Sequence, residues 1–305
     1  MSAPDVSVVI PTRNRRDLCR LAVESCLTNQ DVAVEIIVVD DGSTDDTLGY
    51  LADLPIVGLR QEWAGRSAAR NRGIGAATAP LVAFLDSDDL SLPRRFDRQL
   101  NAMAPADIGC WGQVSFIDDM GAPLPDDTAV IQREIEETAA RGATPEVLAV
   151  RMRIYPSTVL VSQDAIAAVG GFDEDLLVAE DIEWLLRVRR HGSLAFVPEP
   201  LSLIRHHEGN TQSAPMFTAA AAFTERLATQ ATAPGDRRYR ARLRHYRARA
   251  LWSLGDNHAA ARAGWSALRD DPTVVFESGF LKRHLLAHLP AKALNARRPG
   301  LRSPE

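Results

Sequence analysis

Only three of the 305 residues are cysteines, and no lysine precedes Lys282. Cys19 and Cys26 lie seven apart on one face of an expected helix, so they read as small core residues; a disulfide framework and a zinc cluster are excluded. No apolar run approaches the length that spans a bilayer. Met1 leads almost directly into an apolar strand, without the basic segment and apolar stretch of a secretion leader. These absences predict a cytoplasmic chain, at most peripheral at the inner face of a membrane.

What is present is an ordinary globular composition, 46% hydrophobic and 25% charged, long enough for one large domain or two. The formal charge of -5 is unevenly spread. From Met216 onward the chain carries about +9, leaving about -14 before it. The basic part could meet an anionic surface, although a solvated arginine-rich helix face explains it equally well.

Short apolar runs alternate with helical spacing through the first third. Strands are expected at Val6–Ile10 (closed by Pro11), at 35–39, 56–59 and 81–85, with helices at 17–29, 44–52 and 67–77. Such alternation predicts an α/β fold with a mostly parallel sheet covered by helices on both faces. Further strands are expected at 108–116 and 194–197, a helix at 182–190, and one helix, 144–151, in the stretch 118–156. From Phe217 to Leu289 everything reads as helix, including a pair around Tyr246–Asp256 and 259–272 that looks like one tetratricopeptide-type repeat. This organisation predicts a catalytic domain over 1–215, a helical region over 216–290 and a frayed tail over 291–305.

The most telling segment is Phe84-Leu85-Asp86-Ser87-Asp88-Asp89. An apolar strand stops in three carboxylates, at the kind of sheet edge where α/β proteins bind ligands. One acid would suffice to cap the next helix. Three together call for a positive partner, and a hard divalent cation, Mg²⁺ or Mn²⁺, with a phosphorylated substrate is the simplest. Pro11-Thr12-Arg13 and Asp40-Asp41 also fall at strand ends, so one site at one edge is expected.

Six segments in order carry a resemblance to the inverting family 2 glycosyltransferases of GT-A fold: SVVIPTRNR (Ser7 to Arg15), EIIVVDDGSTDDT (Glu35 to Thr47), ARNRGIGAA (Ala69 to Ala77), FLDSDD (Phe84 to Asp89), GGFDE (Gly170 to Glu174) and AEDIEWLLRV (Ala179 to Val188). The resemblance implies a GT-A, Rossmann-like sheet and transfer of a sugar from a nucleotide diphosphate donor, a UDP-sugar first of all, to a hydroxyl acceptor on a glycan or lipid. Surface-polysaccharide or glycoconjugate synthesis is the expected setting, with no nucleic-acid partner; peripheral membrane contact through the basic C-terminal region is left open by its charge alone. It makes Asp88 the direct metal ligand, Asp86 with Ser87 a contact to ribose or a metal-bound water, and Asp89 a supporting group. Asp181 becomes the base that takes the acceptor proton, Glu180 its orienting neighbour, and Trp184 a platform beneath the sugar. The nucleotide would lie on Pro11, Thr12, Arg13 and Asp40 or Asp41, with Arg66 and Arg70 at the phosphates or ribose. His207, slightly better placed than His206, matches a third metal ligand, and Asn210 and Ser213 a loop closing on the donor. Gly73 and Gly75 lack the preceding strand of a dinucleotide fingerprint and suit close helix packing.

Two other functions compete. A sugar-phosphate nucleotidyltransferase would need a glycine-rich loop and a lysine after the first strand, and neither is there. A non-catalytic nucleotide-sugar-binding or scaffold protein would have lost an acid at Asp88 or Asp181, and both are kept. Donor sugar and acceptor are not specified, and acceptor contacts are expected within 118–156.

Overall fold

The computed structural model describes residues 3–29, 32–148, 154–176, 179–206, 214–232 and 236–273. In chain order the elements are β1 (Val6–Thr12), α1 (Arg16–Leu27), β2 (Val34–Asp41), α2 (Thr47–Tyr50), β3 (Val57–Gln61), α3 (Arg66–Ala76), β4 (Leu81–Phe84), β5 (Leu90–Ser91), α4 (Arg95–Ala102), β6 (Asp107–Ile117), α5 (Pro125–Ala140), α6 (Pro145–Leu148), a 3-10 turn (Pro156–Thr158), β7 (Leu160–Ser162), α7 (Gln163–Val169), α8 (Glu180–His191), β8 (Ser193–Arg205), α9 (Ala214–Gln230), α10 (Arg237–Ser253) and α11 (Asn257–Asp270).

The eight strands form one sheet in the order β3-β2-β1-β4-β7-β6-β8-β5. The β3-β2-β1-β4 half is parallel throughout. Beyond β4 the sheet is mixed: β7 is antiparallel to β4 and β6, β6 and β8 are parallel, and β5 closes the edge antiparallel to β8. Because strand side chains alternate between faces, β2 feeds two cores. Ile36 and Val38 join Val6, Val8, Ile10 and the Cys19, Ala22, Val23 and Cys26 face of α1. Ile37 and Val39 pack with Ala69 of α3 on the opposite face. The three cysteines are buried and free, as their spacing suggested.

Gly73 lets α3 lie close to β1: a Cβ there would come within 2.3 Å of Val9 Cγ1. Gly75 faces open space, so only one of the two glycines has the packing role expected.

Three expectations need correction. Pro11 does not end β1, which continues to Thr12; β4 pairs only as far as Val9, so Pro11 lies where one side of the strand is already unpaired. Pro198 does not end β8 either. The register with β6 shifts between Gly112↔Val197 and Gln113↔Pro200, and this irregularity absorbs both prolines. The stretch 118–156 holds an unforeseen helix, α5, whose face Ile131-Ile135-Thr138 is buried, while the expected helix at 144–151 is described only over Pro145–Leu148.

The contacts divide the chain into two units, Met1–Thr211 and Gln212–Glu305. In the second, α10 packs against α9 and α11. Ala241 and Ala267 meet in its core, and Arg240 and Arg244 both pair with Asp270. Among the described residues, no helix is long and apolar enough to cross a membrane.

Candidate functional site

β1 lies between β2 and β4, so the strand order reverses direction there and leaves a crevice beyond the carboxyl ends of these strands. A cavity of about 700 Å³ opens at that edge. It gathers Pro11, Thr12 and Arg13 from the end of β1, Asp41 from β2, Arg66 and Arg70 from α3, Asp86, Ser87 and Asp88 after β4, and Glu180 and Asp181 from the first turn of α8. Residues named from five separate segments thus share one chamber.

The carboxylates are held in an ion-pair lattice. Arg70, nearly inaccessible, donates to Asp86 Oδ1 at 2.8 Å and to Glu180 Oε1 at 2.9 Å. Arg66 reaches the same Glu180 oxygen from the cavity side at 2.8 Å, and Arg15 pairs with Asp88. Asp89 turns inward: it accepts from Ser157 Oγ and from the Arg205 amide, while Ser157 accepts from the Asp86 amide. Burial, then the neighbouring Asp86 and Asp88, push the Asp89 carboxyl well above the usual range. Below this loop the buried Arg95 donates to the Phe84 carbonyl, and Gln99 donates to that of Thr158. Burial lowers the Arg95 guanidinium to about 10.

Asp181 is half-buried rather than exposed as a helix start would suggest. Its carboxyl is pushed up to about 6, first by loss of water contact and then by Glu180, while Arg70 and Arg66 pull the other way. It stays largely ionised at pH 7 yet close to the pH where a proton acceptor works well.

Several expected contacts lie elsewhere. Asp40 is fully buried and takes the Ser43 amide and Arg60, a turn-forming role. Asp41 reaches the cavity, but its oxygens accept from Gln61 Nε2 and from the amides of Ala64 and Gly65. Trp184 is buried beneath the site instead of lining it. Its ring stacks on Phe172 with centroids 4.6 Å apart, meets Phe84 edge-on, and its Nε1 donates to the Gly170 carbonyl. His206 stacks on Phe116 away from the cavity. His207, Asn210 and Ser213 lie outside the described residues. From the 118–156 stretch, Tyr155 and Pro156 reach the cavity, whereas α5 packs on β6.

Arg15, Trp63, Ser157 and Glu174 line the cavity without having been named beforehand, and Tyr155 was covered only by the broad 118–156 stretch. Arg15 belonged to a recognised segment and could have been found. Ser157 and Tyr155 arrive from a remote turn that carries no local signal.

Whether this edge suits a divalent cation is decided by its donors. Asp86 and Asp88 offer hard oxygens into the cavity, and each already attracts a guanidinium. No group of three ligating side chains converges among the described residues. Two carboxylates completed by substrate phosphate oxygens are nevertheless the usual environment of Mg²⁺ with nucleotides, so the residues fit.

The sheet and its helices define a GT-A-like fold. Residues 7–154 match glycosyl transferase family 2, and the chain belongs to that family. Among curated relatives, the succinoglycan biosynthesis protein ExoO of Rhizobium meliloti is 40% identical over 102 residues, 32% of this chain and 29% of that protein. The chain's matches span about a third of the length of the first such relatives. Staphylococcus aureus TarS 1–349, crystallised with UDP-GlcNAc, superposes with a TM-score of 0.60 at 14% identity, covering 96% of this chain and 92% of that one. The mannosyltransferase PcManGT of Pyrobaculum calidifontis, with GDP-Man and Mn²⁺, gives 0.57 at 18% identity, covering 97% and 79%. At such identities these two structures speak for the fold alone.

Proposed function

We propose that the chain transfers a sugar from a nucleotide diphosphate donor to a hydroxyl acceptor, with inversion at the anomeric carbon and with Mn²⁺ or Mg²⁺. One observation carries this reading: Asp86 and Asp88, which end the fourth strand, and Asp181, which opens α8, line the same cavity. Opposite attack requires that arrangement, with the leaving diphosphate on one side of the sugar and the proton acceptor on the other.

Asp86 and Asp88 would hold the cation, which when bound neutralises charge on the diphosphate. Arg15, Arg13 and Arg66 supply further positive charge at the cavity wall. Asp181 takes the proton of the acceptor hydroxyl as its oxygen bonds to the anomeric carbon. The bond from that carbon to the diphosphate breaks, and the electron pair leaves with the nucleotide. Burial, and after it Glu180 fixed by Arg66 and Arg70, keep Asp181 basic enough for this. The catalytic domain is assigned to 1–215. A role in surface-polysaccharide synthesis is supported by the likeness to ExoO, and a UDP or GDP donor with Mn²⁺ by the ligands of TarS and PcManGT.

The test is turnover of UDP- and GDP-sugars by the purified chain with Mn²⁺. Asp181→Asn is expected to lower kcat by roughly 10²- to 10⁴-fold while nucleotide affinity persists, and EDTA to stop turnover. An undiminished rate in the variant removes the base assignment, and full activity without metal removes the cation.

A further inference from the structure

Among the described residues that line the cavity, Trp63 presents a large aromatic side chain 68% exposed, in the turn between β3 and α3. An exposed ring is ordinary on a protein surface, but this one lines the cavity, where a flat ligand could cover it and remove its apolar face from water. The turn that carries it is firmly built. Asp41 accepts from Gln61 Nε2 at 2.9 Å, from the Ala64 amide at 2.8 Å and from the Gly65 amide at 2.9 Å, on both sides of Trp63. Gly42, at φ +76, lies so close that a Cβ on it would come 2.9 Å from the Trp63 nitrogen. The Arg13 guanidinium sits 4.9 Å from the ring centroid, and Arg13 lines the cavity as well.

We infer that Trp63, held by the Asp41 clamp and backed by Arg13, is the stacking platform for the base of the nucleotide donor. The inference rests on the donor reading above and names the residue that grips the base. The position suits it: Trp63 lies at the β2–β3 end of the cavity, the metal-suited carboxylates follow β4, and the diphosphate must run between them. Asp41, expected to meet a base edge directly, has three acceptor sites filled by its own turn, so it acts as the positioning residue and the ring provides the contact. Stacking recognises the flat face common to all bases.

The experiment is calorimetric titration of the full chain, with Mn²⁺, by UDP, GDP and inorganic pyrophosphate, for the unmodified protein, Trp63→Ala and Trp63→Phe. In Trp63→Ala, the affinity of whichever nucleotide binds should fall about tenfold or more, a stacked base being worth that much. Pyrophosphate affinity should be unchanged, and Trp63→Phe should recover most of the loss. Nucleotide binding unaltered in Trp63→Ala overturns the inference alone, as does an equal loss for pyrophosphate. Failure of the unmodified chain to bind either nucleotide overturns the donor reading and this one together.

Discussion

Asp181 and Arg70 carry opposite electrostatic burdens. The Asp181 carboxyl, ordinarily near 3.8, titrates at about 6 because burial and Glu180 disfavour its charge. If it is the base, kcat/KM should climb with pH through about 6 and then level, which a pH–rate profile will show. The same shift has a stability cost. Between the two values the folded chain holds a proton that the unfolded chain has released, so stability falls as pH rises from about 4 to about 6 and stays lower above. Asp181→Asn should therefore melt higher than the unmodified protein at pH 7 to 8 and lose that advantage near pH 4. Arg70 does the reverse: it compensates two acids at once, and its side chain and that of Glu180 are both 3% exposed. Arg70→Ala strands Glu180 with Arg66 as its remaining described ion-pair partner; denaturant unfolding should show a loss of about 3–5 kcal/mol.

At the scale of elements, the site depends on how closely α3 approaches the sheet. Gly73 sets that approach, since a methyl group there meets Val9. Gly73→Ala should destabilise by about 1–3 kcal/mol through overpacking and displace Arg66 and Arg70, which ride on the same helix. Gly75→Ala, with open space around it, should be neutral or stabilising by up to ~1 kcal/mol. Comparing the two melting midpoints separates packing from helix propensity. The strand–helix alternation to Phe84 was readable because each strand there is a short run, almost wholly apolar in β1, β2 and β4, between helical periods. β8 was cut short because two prolines look like a stop until the bulge opposite Gln113 is seen. α5 went unread because it buries only a thin face, Ile131, Ile135 and Thr138, and leaves half of its residues exposed.

For the molecule as a whole, donor binding should register as stabilisation. A nucleotide sugar with Mn²⁺ at about 100 times its Kd adds about 2.7 kcal/mol, so a panel of nucleotide sugars read by thermal shift should single out the donor. No shift from any nucleotide sugar would count against the donor reading. The amino-acid sequence by itself determined the family, the parallel half of the sheet and the acids at its edge, because apolar periodicity and clustered charge are local properties of the chain. Only the tertiary structure decided which of those groups face the cavity. Asp40 and Trp184 turned into the protein, Arg95 became a buried prop under the carboxylate loop, and Trp63 was left uncovered at the mouth. The physical reason is that burial and pairing are set by segments distant in the chain: Phe172 covers Trp184, and Ser157 and Arg205 hold Asp89.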